Sequence, residues 1–193
     1  MNRVCVFCGS SSGARAEYAL AAAQTGELIA RRRLGLVYGG GHVGLMGVVA
    51  DAALRAAGEV IGVITQALKD REVAHEGLTD LHVVRTMHER KSLMAGLSDA
   101  FLVLPGGIGT LEEFFEVWTW GQLGEHAKPV GLVNSGGYYD GLVQFVDTMR
   151  SEGFLKPKHR EMLIVADTPG AVLDVFARYE PPAVGKWIGP ADV

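Results

Sequence analysis

Short apolar runs alternate with longer stretches of helical periodicity along almost the whole chain. The runs at Arg3–Phe7, Leu36–Tyr38, Val60–Thr65, Leu81–Val84, Ala100–Leu104, Val130–Val133 and Leu163–Ala166 are continuously apolar, the pattern of strands covered on both faces. Between them, Ala16–Arg33, Gly44–Ala57, Met87–Leu97, Leu111–Leu123, Tyr138–Glu152 and Pro169–Tyr179 read as helices. Strand and helix in turn predict a Rossmann-like, doubly wound α/β fold: a parallel sheet of about seven strands with helices on both faces. No repeat or linker interrupts the pattern before a Pro- and Gly-containing stretch, which predicts one domain over residues 1–180 and a tail over 181–193.

Composition narrows the function by exclusion. With 193 residues, 48% hydrophobic and 21% charged, the chain can bury a full core without disulfide or metal staples. A net charge of −4 supplies no basic face for nucleic acid. No apolar stretch approaches the roughly 18 residues of a membrane span, and the run after Met1 is too short for a signal peptide, so the expected setting is cytoplasmic. Cys5 and Cys8 form a CxxC, but residues three apart on a strand face opposite sides and no second pair completes a zinc site; they read as small hydrophobes near a strand end.

Open parallel sheets bind ligands beyond the carboxyl ends of their strands. The loops there are Cys8–Gly13, Gly39–Gly47, Thr86–Lys91 and Pro105–Glu113. Gly39–Gly44 matches G-x-G-x-x-G between a strand and a helix, yet no acid ends the next strand to hold a ribose: Glu59 precedes it, and Thr65 and Gln66 follow. These glycines suit a smaller phosphate ligand. Pro105–Thr110 lacks the P-loop lysine and offers a helix N-terminus plus the Thr110 hydroxyl, enough for one phosphate group.

Thr110-x-x-Glu113 also fits a capping box, in which Glu113 folds back onto the helix's first N–H. A phosphate at the same helix end would instead require a cation close to Glu113. Arg90 is the candidate, since it falls in the middle of the apolar arc formed by Met87, Leu93, Met94 and Leu97; an inward arginine needs an anion, whether a ligand or a structural partner. Lys91, at the edge of that arc, is either a solvated charge or a ligand contact. His42 and His88 have no further ligand at metal spacing, and Ser10, Ser11 and Ser12 lack the context of a nucleophile elbow, which leaves them as hydrogen-bonding loop residues.

Together, "MHERK" at Met87–Lys91 and "PGGIGTLEE" at Pro105–Glu113 resemble the two signatures of the LONELY GUY family of cytokinin riboside 5′-monophosphate phosphoribohydrolases. The similarity runs on through "VFCGSSSG", "LVYGGGHVGLMG", "WTWGQLGEHAKPVGL" and "GGYYDGL", about four-fifths of the chain. It implies hydrolysis of the N-glycosidic bond of a nucleoside 5′-monophosphate, a cytokinin riboside monophosphate or AMP, without cofactor or metal. By position in the motifs it implies Arg90 and Glu113 as the catalytic pair, and Glu72, Lys91, Gly106, Gly107, Gly109, Thr110, Glu112 and Thr119 as nucleotide-binding positions. Gly9, Ser10, Gly40, Gly41 and Met87, from the other loops, complete the expected substrate-binding set.

In the helix after the motif, Leu111, Phe114, Phe115, Val117, Trp118, Trp120 and Leu123 point around almost the full circumference, more apolar surface than one sheet covers. Together with the resemblance, this predicts a symmetric homodimer with the active site at or near the interface. A nucleotide or cofactor carrier would use the same glycine loops but has no evident use for both Arg90 and Glu113. A nicotinamide oxidoreductase is disfavoured by the incomplete fingerprint. Relatives have been labelled lysine decarboxylases, and no lysine–aspartate constellation for pyridoxal phosphate is apparent here.

Overall fold

A computed structural model describes residues 1–71 and 73–182; Glu72 and the tail from residue 183 onward lie outside the described residues. Each apolar run forms a strand: β1 (Arg3–Phe7), β2 (Gly35–Tyr38), β3 (Val60–Thr65), β4 (Asp80–Val84), β5 (Ala100–Val103), β6 (Val130–Val133) and β7 (Leu163–Ala166). They pair in parallel in the order β4-β3-β2-β1-β5-β6-β7. The helices are α1 (Ala16–Arg31), α2 (Gly44–Arg55), α3 (Gln66–Lys69), α4 (Met87–Leu97), α5 (Ile108–Leu123), α6 (Asp140–Ser151), α7 (Pro157–Glu161) and α8 (Pro169–Phe176), with a 3-10 turn at Ser135–Gly137.

The twofold alternation of side chains along each strand sorts the core into two layers. Val4 and Val6 of β1 pack with residues of α1, α2 and α8, whereas Cys5 and Phe7 face α4, α5 and α6. Phe7 stacks on Phe101 of β5 with ring centres 6.0 Å apart. Both cysteines are buried free thiols in opposite layers, Cys8 lying just past the end of β1.

Several expectations need correction, among them the bounds of α6, which starts at Asp140 rather than Tyr138, and of α8, which ends at Phe176 rather than Tyr179. Strands β4 and β7 are the sheet edges and are only partly covered, so the fully buried pattern holds for the inner strands alone. Helices α1 and α2 stop short of the predicted Arg33 and Ala57, because both residues turn to positive φ (58° each) and break the helical path. Helix α5 begins at Ile108 rather than Leu111. The short α3, α7 and 3-10 turn were not expected, since four or five residues show no period.

The chain winds from β1 to β4 on one side of the sheet, then crosses to β5 on the other side of β1. Connections after β1 and β5 therefore diverge and leave a crevice at the carboxyl end of the sheet. Gly9 N–H donates to the Pro105 carbonyl (3.0 Å) and Leu45 N–H to the Gly9 carbonyl (3.0 Å), which ties together the β1 loop, the β5 loop and the start of α2. Among the described residues, no helix is long and apolar enough to cross a membrane.

Phe101, fully buried in this layer, supplies the test of the packing. Phe101→Ala is expected to lower stability in urea unfolding by about 3–5 kcal/mol. Leu20→Ala, on the exposed face of α1, should stay within about 0.5 kcal/mol of wild type. Equal effects at the two positions would contradict this layer assignment.

Candidate active site

The glycine turn after β5 enters α5 with Gly107 as the residue flanking the helix. Leu111 N–H makes the first helical bond, to the Gly107 carbonyl (3.1 Å), so Ile108, Gly109 and Thr110 carry N–H groups with no acceptor inside the helix. Those groups and the helix dipole make the turn receptive to an anion. Thr110 is therefore the third residue of the helix and is buried, its hydroxyl packed against Gly106, and the expected capping box with Glu113 does not form. Any Cβ at Gly106 would overlap the Thr110 side chain and crowd Gly9, so only glycine lets the two loops meet. Two tyrosines brace the turn from outside: Tyr138 donates to the Gly106 carbonyl and Tyr139 to the Leu104 carbonyl, each at 2.6 Å.

A capping interaction does form one helix earlier. Thr86 Oγ1 accepts from Glu89 N–H at 3.1 Å, which starts α4 and sets Arg90 one turn inside it, facing the sheet. Arg90 is 7% exposed. Its Nε donates to the Val63 carbonyl (2.9 Å) and its Nη2 to the Gly39 carbonyl (3.1 Å), so the ends of β2 and β3 hold the guanidinium plane. A Cβ at position 39 would occupy the space of that guanidinium, which explains the first glycine of the triplet. The remaining nitrogen, Nη1, reaches Glu113 Oε1 at 3.4 Å.

Glu113 sits on the second turn of α5 with its side chain 12% exposed. Burial pushes its carboxyl up to about 7; Arg90 opposes that rise, Glu112 and Glu116 add to it, and Lys91 opposes it. A carboxyl poised there exchanges a proton readily at neutral pH. Burial likewise raises the thiol of Cys8, which stays protonated at the floor of the same cleft.

A cavity of about 690 Å³ opens over these groups. Of the expected site residues, Ser10, Gly41, Met87, Arg90, Gly107, Gly109, Thr110, Glu112 and Glu113 line it. Gly9 and Gly106 stand behind it as the point where two loops touch, and Gly40 turns at φ 74° against Ile64 and Leu81. Lys91 is buried away from the lining, paired with Glu112 and Glu116, and is no solvated charge. Thr119 lies on the exposed side of α5, outside the cavity of its own chain, and Glu72 is outside the described residues.

Sequence reasoning missed one wall of this cavity, formed by Val43, Met46, Ile64, Leu68 and Val73, together with Arg71 and Ile108. Val43 and Met46 come from the start of α2, Ile64 from β3 and Ile108 from α5, while Leu68, Arg71 and Val73 come from the segment after β3, where an apolar residue carries no motif. A larger cavity of about 880 Å³, lined by His42, Lys69, His75 and Glu76, lies across the same loop and contains neither the glycine turn nor the Arg90–Glu113 pair. His42 is exposed there, with Nδ1 3.3 Å from the Ala74 carbonyl, and His88 is exposed on α4. Among the described residues, no three His, Cys, Asp or Glu side chains gather as metal ligands would.

The family described as possible lysine decarboxylase matches residues 46–176. A probable cytokinin riboside 5′-monophosphate phosphoribohydrolase of Oryza sativa subsp. japonica is 51% identical over 179 residues, 93% of this chain and 79% of that one. A cytokinin riboside 5′-monophosphate phosphoribohydrolase of Arabidopsis thaliana is 48% identical over 179 residues, 93% of this chain and 82% of that one. Among solved structures, a molybdenum cofactor binding protein from Rippkaea orientalis has the same fold, with a TM-score of 0.70 at 22% identity over 92% of this chain and 96% of that one. Matched by that family description and by relatives near half identity over nearly its whole length, this chain belongs to the family of cytokinin riboside 5′-monophosphate phosphoribohydrolases, the LONELY GUY family.

Proposed function

We propose that the protein hydrolyses the N-glycosidic bond of a cytokinin riboside 5′-monophosphate, releasing the free base and ribose 5-phosphate and so activating the cytokinin. Family membership supports the reaction. The observation that carries it to particular residues is the buried Arg90–Glu113 pair set beside the open N-terminus of α5.

In this assignment the 5′-phosphate sits on the N–H groups of the Gly107–Thr110 turn, with Ser10 and Gly41 across the cleft. The C1′–N bond breaks with its electron pair leaving on the base, and positive charge builds on the ribose ring. The ionised Glu113 stabilises that charge and takes a proton from the attacking water, whose oxygen bonds to C1′. The departing purine takes a proton from solvent and leaves neutral, and Glu113 gives the proton it accepted back to solvent, so that each turnover consumes one water. Arg90, fixed by two carbonyls, holds Glu113 in place and faces the sugar and phosphate oxygens. The wall of Val43, Met46, Ile64, Leu68 and Val73 favours an apolar substituent on the base over unmodified AMP. A carrier of the same fold would need the glycine turn but no buried carboxyl poised near neutrality.

A homodimer through α5 is part of the proposal. Ile108 (88% exposed) and Leu123 (57% exposed) lie on that helix with Thr119 between them in sequence. A second copy laid on this face covers the apolar side chains and brings Thr119 to a subunit boundary near the cleft. A cytoplasmic setting accords with the free thiols of Cys5 and Cys8.

Glu113→Gln is expected to lose about 10²–10⁴-fold in kcat with little change in nucleotide KM, measured by release of free base. In the wild type, kcat/KM should rise with pH through about 7 as Glu113 ionises and then level; a fall across that range would assign Glu113 the opposite proton state. The same titration affects stability. The fold holds a proton on Glu113 that the unfolded chain has released between 4.5 and about 7, so wild type should lose stability relative to Glu113→Gln as pH climbs through that window, approaching about 3 kcal/mol above it. Denaturant unfolding at several pH values reads the difference, and a pH-independent gap would contradict it. For the assembly, light scattering should give the dimer mass for wild type and a shift toward monomer for Leu123→Asp; a wild-type monomer overturns the interface.

A further inference from the structure

Three consecutive carbonyls of the glycine turn after β5 are held by groups outside the turn. Leu104 accepts from the Tyr139 hydroxyl (2.6 Å), Pro105 from Gly9 N–H (3.0 Å) and Gly106 from the Tyr138 hydroxyl (2.6 Å). A trans peptide is planar, with its C=O and N–H on opposite sides, and the bond between Gly106 and Gly107 is trans. Holding the Gly106 carbonyl at Tyr138 therefore turns Gly107 N–H away from Tyr138. Gly107 lines the cavity while Gly106 stands behind it, so that amide lies on the side of the cleft. Among the described residues it has no backbone acceptor.

A peptide between two glycines turns over easily. No Cβ on either side resists a half-turn, which would carry Gly107 from φ −89° into the positive region that glycine enters freely. Turned over, the peptide would aim a carbonyl instead of an N–H at an anion in the cleft. Only the observed orientation leaves the Gly106 carbonyl for the Tyr138 hydroxyl.

Tyr138 is itself fixed from two directions. Its ring meets those of Tyr18 and Tyr139 edge to face, with centres 5.4 and 4.9 Å apart. Its backbone follows the 3-10 turn, where Gly136 and Gly137 take φ 59° and 72° and Arg15 Nη1 donates to the Gly136 carbonyl at 2.9 Å. At 41% exposed, Tyr138 contributes little to the core. Tyr139 differs in both respects: it is buried, and the peptide it holds ends on the proline nitrogen of Pro105, which has no N–H to orient.

We propose that Tyr138 is a positioning residue: by holding the Gly106 carbonyl, its hydroxyl keeps Gly107 N–H turned toward the cleft and so sets the affinity of the turn for the 5′-phosphate, without touching the nucleotide. This role rests on the phosphate seat assigned to the start of α5.

The test compares Tyr138→Phe and Tyr139→Phe in the full-length protein. By calorimetry, Tyr138→Phe should weaken ribose 5-phosphate about tenfold and leave isopentenyladenosine, which lacks the phosphate, within about twofold of wild type. KM for isopentenyladenosine monophosphate should rise about tenfold with kcat within about threefold. The melting temperature of Tyr138→Phe should stay within about 3 °C of wild type, whereas Tyr139→Phe should melt lower and keep the wild-type ratio of the two affinities. Nitrogen-15 NMR reads the peptide itself: the Gly107 amide signal should move when ribose 5-phosphate is added to wild type and move far less in Tyr138→Phe. Equal affinities and an equal Gly107 shift in Tyr138→Phe would overturn the proposal, as would a variant that melts far lower and weakens both ligands alike, or does not fold. A Gly107 signal unmoved in wild type would refute the phosphate seat and this role together. Absence of base release by wild type would reject hydrolysis alone, because the affinities and the Gly107 shift need no turnover.

Discussion

A guanidinium buried at the carboxyl end of the sheet sets the terms for everything around it. Arg90 would cost far too much inside the protein unless every part of its fork met an acceptor. The Val63 and Gly39 carbonyls meet two nitrogens and Glu113 the third. Each partner imposes a condition in turn. Position 39 must lack a side chain, Thr86 must start α4 at the right residue, and α5 must begin early enough to place Glu113 on its second turn. The pairing, at 3.4 Å, does not cancel the burial of Glu113, whose carboxyl is pushed up to about 7.

The sheet topology supplies the place for this pair. Because the chain reverses its winding direction between β1 and β5, loops from both halves meet over the crevice, joined through Gly9, Pro105 and Leu45. The anion-receptive helix end and the buried pair thus share one cavity, a short distance apart on α4 and α5. Carrier proteins with the same architecture, such as the molybdenum cofactor carrier of Chlamydomonas reinhardtii at 18% identity and a TM-score of 0.69, show that the fold alone does not dictate chemistry. The chemistry proposed for this chain rests on its own side chains at 90 and 113.

Much of the fold was legible because continuous apolar runs and helical arcs are properties of neighbouring residues. The inner strands match their runs closely, and the arc of α4 correctly turned Arg90 inward beside the buried Met94, although Met87, counted in the same arc, is exposed. Legibility failed where distant segments decide. Thr110-x-x-Glu113 has the spacing of a cap, but Gly106 claims the Thr110 side chain and the helix starts at Ile108. Lys91 could not be resolved from its own helix, since its partners Glu112 and Glu116 belong to another. The "GGYYDGL" stretch was noticed as a likeness only; its physical use, two hydroxyls bracing the glycine turn, appears once β6 and β5 lie side by side. The part of the apolar wall that follows β3, Leu68 and Val73, had no local signature, whereas Val43 and Met46 lie inside the glycine-marked Gly39–Gly47 stretch.

The central claim is that a nucleotide anchored on the start of α5 presents its anomeric carbon to the carboxyl at position 113. A crystal structure of Glu113→Gln with isopentenyladenosine monophosphate bound tests it most directly. The expected result has the phosphate on the N–H groups of Gly107–Thr110, C1′ within about 4 Å of the side chain at position 113, and the prenyl group against Met46 and Leu68. A nucleotide seated elsewhere, or one whose sugar lies far from position 113 while that side chain bonds only to its own chain, would contradict the claim.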